Sequence, residues 1–386
     1  MRFVIRNALR STLLAFLATG IAAASASAST SPIVGHVYVN DNTAGANTVA
    51  GFDRHADGTL TAVPGSPFQA GGAGTGADIP SQGALQTAFG GHYLLAVDAG
   101  SNQISVLAAG HNGGLAPVSV ASSGGSDPVS IAVHGRLVYV ANASADWPNY
   151  TGFRLGFDGR LHRIPGSTIT LPDGSQPGDV LFNGNGTVLA GTRVGTSEID
   201  SFLVGPGGRL TAAAGSPIGA QGLGPFGSEF RPTNPYQLFV SNAHNGTIDG
   251  VSTTGTVSAF AVGAGGALNP IGASPFADEQ TAPCWVEISQ DGNYLFAVNT
   301  ASSSISSYWI ARGGSLALIG STPMNDPIGL GAQDAGLSPD GGSLWVVDAG
   351  LHAISGFAVD GGHVTEFGSS PSAVPAGAAP AGIVVN

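Results

Sequence analysis

The chain has 386 residues, a formal net charge of −12 and no lysine, and only 9% of its residues carry a charge. Nucleic acids and anionic membrane surfaces both attract cationic proteins, so this composition argues against either partner. The single cysteine, Cys284, excludes an internal disulfide, and burial of a core must therefore stabilise the fold.

The first 28 residues are predicted to be a signal peptide, and residues 29–386 a single domain. An arginine-containing start precedes an apolar stretch over residues 12–24, and Ala-Ser-Ala cleavage sites end at Ala26 and Ala28. The apolar stretch is shorter than a typical membrane-spanning helix. We therefore expect a secreted protein.

One sequence pattern then occurs seven times. An apolar strand ends in a polar residue, a Ser- and Thr-rich strand follows, and a Gly turn leads into a short third strand. The copies are spaced by 44 to 57 residues, which is typical of propeller blades with four short strands. The pattern predicts an all-β fold, a seven-bladed β-propeller of four-stranded antiparallel blades. The predicted ends of the apolar strands are Asp41, Asp98, Asn142, Thr192, Asn242, Asn299 and Asp348.

The strands of one copy, A to D, have distinct patterns. Strand B is continuously apolar, as over residues 93–97, which suits a strand buried on both faces. Strand C alternates, as over residues 304–308, and strand D follows the Gly turn. A Gly-Ser-Pro segment comes next. Because proline has no N–H for a ladder, we expect it where the chain leaves one blade for the next.

The two ends of the chain are predicted to close the ring. The domain begins with strand B, at residues 37–39, and ends on a lone strand A, at residues 381–385. We therefore expect the C-terminal strand to pair with the N-terminal strands, which leaves no open sheet edge.

The connections fall on two faces, because strand direction alternates within a blade. The A–B and C–D turns are short and Gly-rich and share one side, named here the turn face. The B–C loops and D–A linkers are longer and share the other side, the loop face. Variable loops on a rigid scaffold commonly carry function, so the tunnel mouth on the loop face is the expected site.

The polar end of strand B, the Gly-x-Leu strand D and the Gly-Ser-Pro-Phe linker resemble the lactonase-type seven-bladed propellers. That family includes the propeller 6-phosphogluconolactonases and carboxymuconate cyclases, and the likeness covers about residues 33–386. Residues 283–286, Pro-Cys-Trp-Val, resemble exported actinobacterial members. The resemblance implies lactone chemistry by His, Arg and Glu side chains at the tunnel mouth. The chain departs from the family pattern at residues 224–227, where Pro-Arg-His is expected, and at Ala243 and Thr300, where Glu and Arg are expected.

Three residues are candidates for catalysis. Arg193, directly after Thr192, places a cation where the family keeps its charges, and it could hold a carboxylate or instead pair with Glu198. His244 could act as a base near neutral pH, or it could be an ordinary exposed loop histidine. Glu229, with Glu287 in the next copy, could face the tunnel as a base or as a solvated carboxylate without a catalytic role.

The sequence gives weaker arguments for a function at other residues. Cys284 has no neighbouring histidine in the sequence and is expected to be a small buried residue. Asp146 and Trp147 could contact a sugar, or Trp147 could pack beneath its loop. The nine histidines show no His-x-His or His-Glu-x-x-His spacing, so we predict neither a metal nor a cofactor.

Two functions remain open. The first is an exported lactonase-like hydrolase acting on a small lactone at the tunnel mouth, with Arg193, His244 and Glu229 as its catalytic residues. The second is a non-catalytic propeller that binds a small ligand, a carbohydrate or a protein through the loop face. We expect a monomer in either case.

Overall fold

The computed structural model describes residues 31–386, apart from residues 245–246, 249–250, 253–254 and 327–330. The predicted signal peptide lies outside the described residues. Almost all regular structure in the described part is β-strand, with two short 3-10 helices at Ala99–Ser101 and Pro206–Gly208. No helix in that part is long and apolar enough to span a membrane.

Seven antiparallel sheets form the blades, in agreement with the predicted fold. The inner strands A of neighbouring blades contact one another in a closed ring around a central channel. In blades 1 to 7, strands A are Ile383–Val385, Leu85–Ala88, Pro128–His134, Pro177–Phe182, Pro225–Phe230, Pro283–Ile288 and Ala332–Leu337.

The remaining strands follow outward from the channel. Strands B are Ile33–Asn40, Tyr93–Asp98, Leu137–Asn142, Val188–Arg193, Gln237–Asn242, Tyr294–Asn299 and Ser343–Asp348. Strands C are Thr48–His55, Gln103–Ala109, Asn149–Leu155, Glu198–Val204, Thr256–Val262, Ser304–Ile310 and Ala353–Asp360. Strands D are Leu60–Ala62, Leu115–Ser122, Leu161–Arg163, Leu210–Ala212, Leu268–Pro270, Leu316–Pro323 and His363–Glu366. A hairpin of Thr247–Ile248 with Val251–Ser252 lies in the B–C loop of blade 5.

The ring closes through the first blade, as predicted. Ile383 and Val385 of the C-terminal strand pair with Val39 and Val37 of strand B. Asn386 and His36 exchange two backbone hydrogen bonds of 2.9 and 3.1 Å. Strands from both ends of the chain therefore complete one sheet, and the core lies between blades around the buried strands B.

The Gly-Ser-Pro segment does not leave the blade, which corrects the prediction. In five blades it interrupts the outer strand, and a second short segment pairs with strand C after it. The serine hydroxyl accepts a hydrogen bond from the strand C N–H at the break, as Ser216 does from Ser201 at 2.8 Å. The serine thus supplies an acceptor for a strand C N–H at the point where the outer strand is interrupted. The second segments are Phe68–Gln69, Ile169–Thr170, Ile218–Gly219, Phe276–Ala277 and Ser372–Ala373.

A buried polar residue ends every strand B, and in six blades it bonds a side chain near the start of strand C. Asn299 Nδ2 donates to Ser306 Oγ at 2.9 Å, and Ser105 Oγ donates to Asp98 at 2.5 Å. The other pairs are Asn40–Asn47, Asn142–Asn149, Arg193–Asp200 and Asn242–Ser258. We name these six contacts the strand-end pairs.

Blade 4 contains the ionic strand-end pair. The side chain of Arg193 is 8% exposed, and its guanidinium donates to both oxygens of the buried Asp200, at 2.5 and 2.6 Å. A third bond of 3.1 Å reaches Glu198. The ion pair considered from the sequence is therefore present, with Asp200 as the main partner.

The register also corrects two predicted strand ends. Strand B of blade 1 ends at Asn40 rather than Asp41, and that of blade 4 ends at Arg193 rather than Thr192. Arg193 faces Pro177 across the ladder as Asn242 faces Pro225, so the two residues are equivalent. The residue that follows the strand end in blade 4 is Val194, and no cation stands there.

We expect Arg193→Asn to lower the free energy of unfolding by about 3–5 kcal/mol, because Asp200 would remain as a buried unpaired charge. The double variant Arg193→Asn/Asp200→Asn copies the pair of blade 3 and should recover most of that loss. Chemical denaturation measures both. Arg160→Asn is the control, since the Arg160–Asp158 pair is 68% and 60% exposed and should contribute less than about 1 kcal/mol. A double variant no more stable than the single one would contradict the equivalence of the pairs.

Candidate functional site

A short segment before strand A of blade 2 crosses the central channel. Gln82 N donates to Gly178 O of blade 4 at 3.0 Å, and the Gln82 side chain exchanges two bonds with the Val286 backbone of blade 6, at 3.0 and 3.2 Å. Trp285 Nε1 donates to Ser81 O at 2.7 Å. These contacts join the segment before blade 2 to blades 4 and 6 across the channel, so the segment divides the channel into two parts.

Glycine at position 227 makes this crossing possible. A Cβ atom at Gly227 would collide with Gln82 Oε1 and with the Cys284 carbonyl oxygen. Gly227 lies in the segment 224–227, where the family resemblance leads one to expect larger side chains. The departure from the family pattern therefore has a structural consequence, because it leaves room for the Gln82 crossing.

A cavity of about 340 Å³ lies on the loop face, on one side of the crossing. We name it the mouth cavity. Its walls come from the starts of strands A and the residues after strands B in blades 3 to 5, with Pro80 from the segment before blade 2. The lining is mostly apolar, with one carboxylate, one amide and one imidazole. It consists of Pro80, Asp127, Val129, Ala143, Gln176, Pro177, Val194, Phe226 and His244.

His244 is exposed and its imidazole packs against Gly224. Gly224 has φ +62°, and a Cβ there would overlap the imidazole ring. His244 N donates to Leu223 O at 3.1 Å, which fixes the backbone beside the ring. The imidazole makes no hydrogen bond to another described residue, so both nitrogens are available to a ligand.

Asp127 and Gln176 occupy equivalent places in the mouth cavity. Each precedes the proline that starts a strand A, and each has a left-handed backbone, with φ of 56° and 46°. Part of Asp127 is exposed, but desolvation at the cavity wall raises the pKa of its carboxyl. Neither residue was a candidate from the sequence. The repeated x-Pro at the start of strand A was the available signal.

Beyond the crossing, the channel holds four carboxyl groups from strands A of blades 4 to 7. They line two connected cavities of about 240 and 170 Å³, which we name the tunnel cavity. Both cavities share Gln82, and no arginine among the described residues lines either. The four residues are Asp179, Glu229, Glu287 and Asp334.

Burial holds these carboxyls toward their neutral forms. It raises the pKa of Asp179 and of Asp334 to about 7 each, although both accept hydrogen bonds. Burial and the neighbouring Asp334 raise the pKa of Glu287 to about 8. Burial and Glu287 raise the pKa of Glu229 well above its usual range, and Glu229 Oε2 has no hydrogen-bond partner in the described structure.

The structure does not bring the three predicted catalytic residues together. His244 lines the mouth cavity, and Glu229 lines the tunnel cavity beyond Gln82. Arg193 lines neither, because its guanidinium is bonded to Asp200 and Glu198. The three side chains therefore do not line one cavity among the described residues, and their catalytic roles stay predictions.

The remaining sequence candidates have ordinary environments. Cys284 is buried, and burial raises the pKa of its thiol to about 12, so it stays protonated near neutral pH. Trp147 is partly exposed in the B–C loop of blade 3, where its Nε1 donates to Thr170 Oγ1 at 3.3 Å. Within the described residues, no cluster of His, Cys, Asp or Glu could hold a metal ion.

Residues 230–385 match a family model described as Lactonase, 7-bladed beta-propeller. This match confirms the resemblance to the lactonase-type propellers. The matched residues belong to the C-terminal blades and include His244, whereas Glu229 directly precedes them. No curated protein matches the sequence.

Solved structures share the propeller along nearly its whole length. A proposed 6-phosphogluconolactonase of Bacteroides uniformis has a TM-score of 0.71 and 21% identity, over 91% of this chain and 99% of that one. A second, from Bacteroides fragilis, has a TM-score of 0.71 and 20% identity, over 93% and 99%. A periplasmic gluconolactonase of Pseudomonas aeruginosa has a TM-score of 0.71 and 17% identity, over 91% and 98%. At these identities the likeness shows the fold alone.

The tunnel carboxyls predict an unusual pH dependence of stability. A carboxyl whose pKa is higher in the folded chain stabilises the fold below about pH 4, and that contribution is lost as the pH rises through about 7 to 8. We expect the wild type to melt at a higher temperature at pH 5.5 than at pH 8.5, by roughly a few degrees.

The double variant Glu229→Gln/Glu287→Gln should flatten this dependence, because the amides do not titrate. Glu279→Gln is the control, since Glu279 is exposed and lies outside the channel. Calorimetric melting at both pH values measures the effect. An equal pH dependence in the wild type and the double variant would show that these two carboxyls do not cause it.

Proposed function

We propose that the mouth cavity binds a small uncharged lactone and that His244 acts as the base for its hydrolysis. The observation that carries this proposal is the His244 imidazole, which has no hydrogen bond to another described residue and lies at the edge of a small, mostly apolar cavity. A volume of about 340 Å³ suits a small molecule. The family match over residues 230–385 supports lactone chemistry as the class of reaction.

The reaction needs a proton acceptor and a stabilised oxyanion. His244 takes a proton from water as the water oxygen attacks the lactone carbonyl carbon. The side-chain amide of Gln176 is the donor in the cavity lining for the resulting oxyanion. When the ring C–O bond breaks, the imidazolium returns its proton to the alkoxide, and the product is a hydroxy acid.

The charges around the cavity favour a neutral substrate. Among the described residues no arginine lines it, and the nearby Arg193 is already bonded to two carboxylates. Asp127 would repel a carboxylate or phosphate on the substrate. We therefore exclude phosphorylated lactones from the proposed substrate class.

A binding function without catalysis is the second candidate. The specific observation in its favour is that the mouth cavity is lined by the apolar residues Phe226, Ala143 and Val194. The resemblance assigns catalysis to Arg, Glu and His side chains, and only His244 represents them in the lining. A cavity of this kind can hold an apolar ligand without reacting with it.

A panel of neutral γ- and δ-lactones tests the proposal. We expect hydrolysis above background, and a loss of about 100-fold or more in kcat/KM for His244→Asn. His162→Asn, at an exposed histidine of blade 3, is the matched control, and Glu229→Gln should also retain the rate because it lies in the tunnel cavity. Binding of a lactone without turnover would instead support the second candidate, and equal rates in wild type and His244→Asn would remove His244 from the mechanism.

We also propose that the protein is exported, on the basis of the N-terminal residues 1–28. Expression in a bacterial host should yield extracytoplasmic protein whose N-terminus is Ser27 or Ser29, as measured by intact mass and N-terminal sequencing. Deletion of residues 2–24 should retain the protein in the cytoplasm. An unprocessed chain beginning at Met1 outside the cytoplasm would contradict cleavage, and cytoplasmic wild type would contradict export.

A further inference from the structure

A cavity of about 440 Å³ lies on the turn face, on the opposite side of the ring from the mouth cavity. We name it the blade 5–6 cavity. The A–B turn of blade 5 forms one wall, and the A–B turn and end of strand C of blade 6 form the other. We propose that it binds a carboxylated sugar of the hexuronate type.

Trp309 supplies an aromatic surface for the sugar ring. Its side chain extends from strand C of blade 6 into the cavity lining and the residue is 49% exposed. Its Nε1 makes no hydrogen bond to another described residue. Two of the other three tryptophans, Trp285 and Trp345, are buried. An exposed indole offers a flat apolar face and one polar edge, which suits the C–H face and hydroxyls of a pyranose.

Arg312 supplies an uncommitted positive charge. The residue is exposed, and its guanidinium has no ion pair or hydrogen bond to another described residue. The chain has no lysine and a net charge of −12, so a free cation in a cavity is a specific feature. Arginine binds carboxylates through two parallel hydrogen bonds, which predicts a carboxylate on the ligand.

Arg231 makes the cavity rigid. Its guanidinium donates to Gly292 O at 2.7 Å, to Ala311 O at 3.0 Å and to Ile310 O at 3.3 Å, and it also bonds Gln237. These bonds join the turn of blade 5 to both turns of blade 6. The walls are therefore fixed before a ligand arrives, which lowers the entropic cost of binding.

The polar groups that remain free are mainly donors. Asn234 Nδ2 and the Thr233 hydroxyl have no hydrogen bond to another described residue, and both residues line the cavity. The described lining contains no carboxylate, and the neighbouring Asp291 is bonded to Ser289 and Asn293. A ligand rich in acceptors, with a carboxylate for Arg312 and ring hydroxyls for the turn of blade 5, matches this set.

Binding of galacturonate and glucuronate tests the proposal, with saturation-transfer NMR and calorimetry on the full mature chain. We expect weak binding by the wild type, about millimolar for a single sugar unit. Trp309→Ala and Arg312→Gln should each weaken it at least tenfold, whereas Trp147→Ala on the loop face and Arg209→Gln on the turn face should not. His244→Asn should also retain binding, which separates this site from the proposed lactone site.

Binding measurements with glucose and with inorganic phosphate show which group of the uronate the cavity recognises. Glucose should bind at least tenfold more weakly than glucuronate, and phosphate should not displace the uronate at equal concentration. Equal affinity for glucose would refute the role of Arg312, and displacement by phosphate would reduce the site to a simple anion site. Absence of uronate binding, or equal losses in Trp309→Ala and Trp147→Ala with unchanged melting temperatures, would overturn the proposal.

Discussion

The strand-end pair is the contact on which the blades depend, because strand B ends in the interior and its last side chain is polar. A buried polar group without a partner costs roughly 1–3 kcal/mol, and in six blades a side chain near the start of strand C supplies that partner. In blade 7, Asp348 instead accepts a hydrogen bond from Leu351 N at 3.1 Å. Blade 5 illustrates the constraint. Its B–C loop is longer than the others, yet Asn242 still bonds Ser258 at 2.9 Å. The pair therefore allows the loops to vary while the sheet keeps its register, and variable loops are where the mouth cavity obtains His244.

The same constraint accounts for the charge of the mouth cavity. Arg193 is the only cation at a strand B end, and its role in the strand-end pair of blade 4 commits it to Asp200. The crossing by Gln82 separates the exposed imidazole of His244 from the tunnel carboxyls. The channel thus contains two environments, one nearly neutral and one strongly acidic. The first presents the His244 imidazole, and the second presents the four carboxyls.

The repeat predicted the architecture because each copy contains the same physical requirements: an apolar strand B, a Gly turn and a polar strand end. It located the strand ends less well in blade 4, since Thr192 and Arg193 are both polar and only the ladder with Pro177 distinguishes them. The Gly-Ser-Pro segment was misplaced because proline alone suggests a chain exit, whereas the serine bond to strand C keeps the segment in the blade. The Gln82 crossing could not be predicted, because its bonds to Val286 join residues 204 positions apart and the described part of the chain shows no equivalent in another copy.

The arginines explain why the two faces differ in chemistry. Arg209 bonds the Pro165 carbonyl, Arg231 bonds carbonyls of blade 6, and Arg193 bonds carboxylates, so each stabilises the propeller. Of the arginines that line a described cavity, Arg312 alone keeps its guanidinium free, and that cavity lies on the turn face. An anionic group is therefore better accommodated there than at the mouth cavity, where Asp127 is the charged wall. The short turns of a propeller are usually regarded as structural, but among the described residues they place the free Arg312 guanidinium, the charge of the sign that an acidic sugar requires, in the lining of a cavity.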